Sequence, residues 1–130
     1  MASRGSVSKN GHITTNEYHQ VGELIHGAKV LEGNGNNHGL PDYSHSPNSI
    51  YIKIDKADGM LRMMRVYDDK GNPVLEIGYH FEKKYSKNGN DKVLHYHYFD
   101  KNLNRIGWFK LNHSDSIYMK YKDILKEFNL

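Results

Sequence analysis

The stretch Ser49-Ile-Tyr-Ile-Lys-Ile-Asp55 alternates strictly between aliphatic residues and residues that are polar or aromatic. A period of two residues is that of a β-strand, in which successive side chains point to opposite faces of the sheet. One face of this strand is therefore aliphatic, and we expect it to pack on a core. The aliphatic face carries Ile50, Ile52 and Ile54, and the other face carries Tyr51, Lys53 and Asp55.

Four more segments after Asp55 have the pattern of strands: Met60–Tyr67, Val74–Glu82, Lys92–Asp100 and Arg105–Leu111. The connections between them are short and rich in turn-forming residues. Parallel strands need connections of about a dozen residues or more, so the short turns predict an antiparallel meander of four or five strands. The register of the second segment is ambiguous, and either Arg62 or Arg65 could point to its polar face.

Segments with apolar residues at helical spacing precede and follow this meander. Apolar residues recur from Tyr18 to Ala28, with Thr15 or Asn16 as N-cap, and predict a short N-terminal helix that ends near Gly27. A C-terminal helix is predicted after Ser114, which can cap it. Its apolar stripe comprises Ile117, Tyr121, Ile124, Leu125 and Phe128. The sequence therefore predicts an α+β fold in which helices cover the aliphatic face of the sheet.

The chain is expected to form one domain over residues 15–130, because 130 residues is an ordinary domain size. Residues 1–14 are polar and lack periodicity, so we expect a flexible arm there. Residues 33–49 are rich in Gly, Asn and Pro, and predict a long loop between the first helix and the sheet.

Composition favours a reducing compartment, since the chain has no cysteine. No apolar segment approaches the roughly 18 residues of a membrane span, and no apolar region typical of a secretory signal is found near Met1. We therefore expect a cytoplasmic protein of a host cell. The formal charge is +3, and nine histidines accompany ten tyrosines. Both residue types offer hydrogen bonds and flat rings that stack on bases, so this composition favours RNA as a partner.

Three histidines and a carboxylate are predicted to meet on the polar face of the sheet. His95 and His97 are two residues apart on one segment, and Glu76 and His80 share the same face of the preceding segment. Such a group suits metal-independent RNA cleavage, in which imidazoles or a carboxylate act as acid and base while cations stabilise the phosphorane. No cofactor is then needed.

Further residues are candidates for binding RNA or its phosphates. Lys53 and Arg62 are the candidate phosphate ligands, since Lys53 of the first strand could join the histidine patch, as could Arg62 if the register of the second strand turns it to that face. Tyr51 belongs to the same face as Lys53. The loop before the sheet adds His38 and His45, two polar side chains in a segment long enough to serve a function.

Two other interpretations of the histidines stay open. They are equally well explained as half-buried sheet residues that hydrogen-bond to neighbouring tyrosines. Alternatively, His95 and His97 with His80 or Glu76 would make a three-ligand metal site. The chain has no further spaced metal signature, so this is the weaker reading.

The segments His38-Gly-Leu-Pro-Asp-Tyr-Ser-His-Ser-Pro-Asn-Ser49, Ile50–Lys53, Glu76–His80 and His95–His97 resemble small RNase toxin domains grouped around barnase, EndoU, colicin nucleases and RelE. The chain is also similar to effector modules of phages and mobile elements. This resemblance covers about two-thirds of the chain. It implies an endoribonuclease that uses general acid–base residues, with RNA as substrate and an immunity protein as partner.

A different class of function also fits a mobile-element protein of this size. The chain would then be an anti-CRISPR protein, a non-enzymatic inhibitor that binds a guide-RNA nuclease or its RNA through the same basic and aromatic surface. Trp108 and Phe109 could lie in the core, or at an exposed edge used to form a homodimer.

Overall fold

The computed structural model describes residues 6–7, 13–14, 18–33, 39–81 and 91–130. In these residues, nine strands form one sheet, and their order in the sheet is the same as their order in the sequence. Two of them, β1 and β2, are two-residue strands at the edge, and the other seven make up the body of the sheet. The strands are β1 Ser6–Val7, β2 Ile13–Thr14, β3 Tyr18–Gln20, β4 Lys29–Gly33, β5 Ile50–Ile54, β6 Leu61–Tyr67, β7 Pro73–Phe81, β8 Lys92–Phe99 and β9 Arg105–Lys110.

Strands β5 to β9 confirm the predicted meander within one or two residues at each end. They pair antiparallel in succession. In the turns from β6 to β7 and from β8 to β9, Asp68 and Asp100 each accept two backbone N–H bonds. The predicted count of four or five strands is wrong, because the sheet continues through β4 and β3. The added pair β4–β5 is parallel, and the long connection over 34–49 makes that possible.

The predicted N-terminal helix is absent from the described part of its range. Tyr18–Gln20 is strand β3, and Ile25 and Ala28 exchange two backbone hydrogen bonds of 2.9 Å in a tight turn. Gly22, His26 and Gly27 have φ values of 65°, 45° and 84°, which a right-handed helix excludes. The apolar spacing was misleading here because two glycines turn the chain back on itself.

The C-terminal helix α1, Ser116–Glu127, confirms the other helix prediction. Asp115 rather than Ser114 occupies the N-cap position, and its carboxylate accepts the backbone N–H of Asn112 at 2.8 Å. The helix packs on the aliphatic face of the sheet. Its buried residues form one cluster with sheet residues that include Val30, Ile52, Leu61, Met64, Leu75 and Ile77.

A smaller cluster lies on the opposite face, under the chain that leads into β5. Leu31 and Leu40 pack there against Tyr51 and Tyr67, whose ring centroids are 4.8 Å apart. The rest of that face, over β6 to β8, carries polar residues. None of the described helices is both long and apolar enough to cross a membrane. The proposed boundary between an arm and a domain near residue 14 stays a prediction.

Candidate functional site

Strand register places the predicted histidines and carboxylate on one face of β7 and β8. Glu76 lies opposite His97, and Gly78 lies opposite His95. On the other side of β7, Arg65 of β6 lies opposite Glu76. Directly opposite residues in antiparallel strands project to the same face. The sheet therefore assembles a row of three polar side chains, Arg65, Glu76 and His97.

Arg65, Glu76 and His97 form a buried ionic network. The Arg65 Nε and Nη2 donate to Oε1 of Glu76 at 3.0 and 2.7 Å, and His97 Nε2 lies 3.1 Å from Oε2. Burial raises the pKa of Glu76, but hydrogen bonds from His97 and Arg65 and the Arg65 charge outweigh it and lower this pKa to about 2. Glu76 is thus ionised at neutral pH, and both of its carboxylate oxygens already contact partners within the fold.

Arg65 also ties the network to the loop before β5. Its Nη1 donates to the carbonyls of Leu40 and Pro41 at 3.0 and 3.2 Å. The Tyr67 hydroxyl donates a short hydrogen bond to the same Pro41 carbonyl. The guanidinium lies 5.0 Å from the ring of Phe99. Each of the three guanidinium nitrogens of Arg65 therefore donates to a partner within the fold.

Arg105 approaches the network from the solvent side of β9. Its Nε lies 3.1 Å from His97 Nε2, and its Nη2 lies 3.6 Å from Glu76 Oε2. One imidazole nitrogen cannot accept from Arg105 and donate to Glu76 at once. The ionised carboxylate favours a proton on His97 Nε2, which leaves the Arg105 guanidinium, with a side chain 55% exposed, available to a ligand.

His80 and His95 form a second pair beside this network, with their Nε2 atoms 3.1 Å apart and their rings nearly perpendicular. Gly78 makes room for them, since a Cβ there would lie 2.8 Å from Cε1 of His95. Burial lowers the pKa of His95 to about 4, and the nearby His80 and His97 add to the effect. His95 is therefore neutral at pH 7.

The two histidine pairs differ in how far a ligand could reach them. His95 and His97 are only 1% and 2% exposed, whereas His80 is partly exposed. The Nδ1 of His80 makes a long contact of 3.3 Å to the Phe81 carbonyl. That nitrogen is the one that a bound molecule could reach by replacing the carbonyl.

Trp108 covers the histidines from β9. Its ring centroid lies 4.3 Å from that of His95 and 5.7 Å from that of His97. The side chain is 37% exposed, so an aromatic surface borders His80. Trp108 therefore shields the buried imidazoles and offers a ring on which a base could stack.

A cleft of about 390 Å³ opens beside the ionic network. Its lining includes both guanidiniums of the site and the acidic Asp42. The full lining is Asp42, Arg65, Pro73, Phe99, Leu103, Asn104 and Arg105. Arg65 is already bonded within the fold, so an anion in this cleft would bind at the largely exposed guanidinium of Arg105.

The remaining predicted ligands lie elsewhere. Lys53 and Arg62 line a separate pocket between β4 and β5, and do not adjoin the histidines. Tyr51 is fully buried, and its hydroxyl accepts the backbone N–H of His45 at 3.1 Å. The His45 side chain is exposed on the covering loop. His38 falls outside the described residues. The structure thus brings Glu76, His80, His95 and His97 together and places Lys53, Arg62, Tyr51 and His45 away from them.

Sequence reasoning missed Arg105 and gave Arg65 only as an exchange partner of Arg62. The pairing of β6 with β7 puts Arg65 opposite Glu76 and so on the histidine face, whereas Arg62 lies where the β5–β6 pairing becomes irregular, beyond Lys53 and Met63. The sequence did contain a signal for Arg65, because residues two apart on a strand share a face and Arg65 lies two residues before Tyr67. Within the described ranges, no three His, Asp or Glu side chains are arranged to hold a metal ion.

The fold and site define a mostly antiparallel α+β domain with a histidine-rich sheet face. In comparisons with protein-family models, with curated proteins and with solved structures, nothing matches the chain.

Proposed function

We propose that this protein is a metal-independent endoribonuclease of the small toxin or effector type, acting in the cytoplasm of a host cell. The single observation that supports it most is the pair of imidazoles 3.1 Å apart, His80 and His95, of which His80 is partly exposed. Two adjacent imidazoles, with an arginine-lined cleft on the same face of the sheet, offer the acid–base groups and the cation that RNA cleavage without a metal needs.

His80 is the group that exchanges protons with the substrate in this proposal. The ribose 2′-oxygen loses its proton to the imidazole pair as it attacks phosphorus. The bond from phosphorus to the 5′-oxygen then breaks, and the 5′-oxygen takes a proton back. The products are a 2′,3′-cyclic phosphate and a 5′-hydroxyl, with no net change in bound protons. His95 is a positioning residue that holds His80 Nε2.

Arg105 supplies the cation for the reacting phosphate, because its guanidinium borders the cleft and its side chain is more than half exposed. Trp108 stacks on a base next to the cleaved bond. The buried network positions Arg105, because Glu76 bonds both Arg65 and His97 and holds this side of the site in place.

Labelled single-stranded RNA, incubated with the protein with and without EDTA, tests the proposal. Cleavage should survive EDTA and leave a cyclic phosphate. His80→Ala should lower the rate about 100-fold or more. His26→Ala is the matched control, because His26 is an exposed histidine bonded to Glu127 at the end of α1 and should leave the rate unchanged. Equal loss in both variants, or no cleavage at all, would reject the proposal.

The alternative is a non-enzymatic inhibitor that binds a guide-RNA nuclease or its RNA. The depth of His95 and His97 favours it, as does the exposed apolar surface of β8 and β9, where Tyr98, Ile106 and Phe109 are all more than 40% exposed. Tight binding of RNA or of such a nuclease without any cleavage would support this function and exclude the first.

A further inference from the structure

The pairing of β4 with β5 ends early and opens a pocket. These parallel strands have two registered pairs, Lys29 with Tyr51 and Val30 with Ile52. Beyond them, β4 continues to Gly33 along β3, while β5 continues to Ile54 along β6. The strands diverge at their carboxyl ends, and a pocket of about 470 Å³ lies in the fork. In open α/β sheets, ligands bind outside the carboxyl ends of parallel strands, and this pocket lies at the carboxyl ends of a parallel pair.

The fork pocket carries an uncompensated positive charge. Its three cations are Lys53, Lys56 and Arg62, and its two carboxylates are Glu32 and Asp55. Lys56 pairs with Glu32. Asp55 is held by Lys92 at 3.1 Å and lies 3.8 Å from Arg62.

Lys53 is the cation without a partner among the described carboxylates, although its side chain is partly buried. Burial lowers its pKa, and the charges of Arg62 and Lys56 act in the same direction, only partly opposed by the charge of Glu32. A cation in this situation gains most from an anion that enters the pocket, because the anion offsets both burial and repulsion.

The pocket wall also has an apolar part, formed by Val21, Val30, Leu31 and Ile54. A pocket much larger than a single phosphate group, with cations on one side and aliphatic side chains on the other, fits an anion attached to an organic body. Arg62 adds a guanidinium whose geometry matches phosphate oxygens.

From the fork, its cations and its apolar wall, we propose that this pocket binds a terminal phosphomonoester, with Lys53 and Arg62 holding the phosphate. The site shares no lining residue with the histidine face and does not depend on RNA cleavage. Three strand spacings, about 14 Å, separate Lys53 on β5 from His95 on β8. The ligand is either a free mononucleotide or the phosphorylated end of an RNA chain.

Isothermal titration of the full chain with inorganic phosphate, adenosine 5′-monophosphate and adenosine tests the chemistry. The two phosphates should bind and adenosine should not. Lys53→Met keeps the aliphatic stem and should raise the dissociation constant about tenfold or more, as should Arg62→Gln. Lys70→Met, in the exposed hairpin turn, is the matched control and should bind as the native chain does. Circular dichroism confirms that each variant is folded.

Two oligoribonucleotides distinguish the sources. A 5′-phosphorylated oligomer that binds more tightly than its dephosphorylated form, by a margin lost in Lys53→Met, identifies the end of an RNA chain. Binding of the mononucleotide with no such margin identifies a free ligand. No binding of any phosphomonoester, or binding unchanged in both Lys53→Met and Arg62→Gln, overturns the site. Neither result bears on His80, whose test is cleavage.

Discussion

On the helix side of the sheet, a continuous cluster of apolar and aromatic side chains joins β4 to β8 with α1, whereas the opposite face buries four residues that carry or can carry charge. Those four are Arg65, Glu76, His95 and His97. Apolar burial is non-directional and tolerates small shifts, but buried charges are stable only with every partner in place. The apolar face on the helix side therefore provides the stability of the fold, whereas the stability of the charged face depends on complete pairing of its charges and on pH.

The largest effect is expected from Glu76→Gln, which keeps the side-chain shape but leaves Arg65 buried without a counter-charge. Loss of one partner of a buried ion pair costs about 3–5 kcal/mol. Urea denaturation at pH 7 measures it. The comparison on the helix face is Leu125→Ala, with an expected cost of about 2–5 kcal/mol from the cavity alone. Adding Arg65→Met should recover stability for Glu76→Gln, and failure to do so would mean that charge pairing is not the cause.

Acidification should weaken the histidine face first. The pKa of His95 is about 4 in the fold and 6.5 without its surroundings, so the unfolded chain takes up the proton first as pH falls. The contribution of His95 to the free energy of unfolding is complete above about pH 6.5 and is lost as the pH falls to about 4, which amounts to about 3 kcal/mol. Glu76, whose pKa is lowered from 4.5 to about 2, adds a further loss below pH 4.5.

Thermal unfolding between pH 7 and pH 4 measures this loss. His95→Gln should flatten the dependence between pH 6.5 and pH 4, because the titrating group is gone. His26→Ala serves as control, since it removes an exposed histidine on the helix side. An unchanged slope in His95→Gln would show that another group titrates there.

A smaller effect is expected from Gly78→Ala, since the new methyl group would lie 2.8 Å from His95 Cε1. Overpacking of this kind typically costs about 1–3 kcal/mol. The imidazole must move, so the nitrogen contact to His80 should change. NMR chemical shifts of the two imidazoles report it, and Gly39→Ala, where a Cβ meets nothing within 4 Å, is the control. Unmoved imidazole signals in Gly78→Ala would contradict the tight fit.

The smallest effect on stability should come from Arg105→Ala. Its side chain is largely exposed, and such ion pairs contribute about 1 kcal/mol or less. RNA cleavage or binding should fall about tenfold or more, because a charge-assisted contact to phosphate is lost. Lys101→Ala, an exposed cation in the adjacent turn, controls for net charge. A fall that Lys101→Ala matches would reduce the role of Arg105 to general electrostatics.

Prediction from sequence succeeded for β5 to β9 and α1 because their patterns repeat locally. Alternation puts His95 and His97 on one side of a strand in any antiparallel sheet, and a meander then places Glu76 and His80 beside them. It failed for residues 18–28, where Gly22 and Gly27 adopt backbone angles that apolar spacing does not reveal.

By itself, the sequence determined that β5 to β9 and α1 form and that the histidines share a face, since period and turn chemistry are properties of neighbouring residues. Only the tertiary structure decided that Arg65 rather than Arg62 bonds Glu76, because the register between β6 and β7 places Arg65 opposite Glu76. It also decided that Lys53 and Arg62 meet in the fork between β4 and β5. That pocket exists because two strands far apart in the chain pair in parallel and then part, and contacts at such separation leave no local pattern.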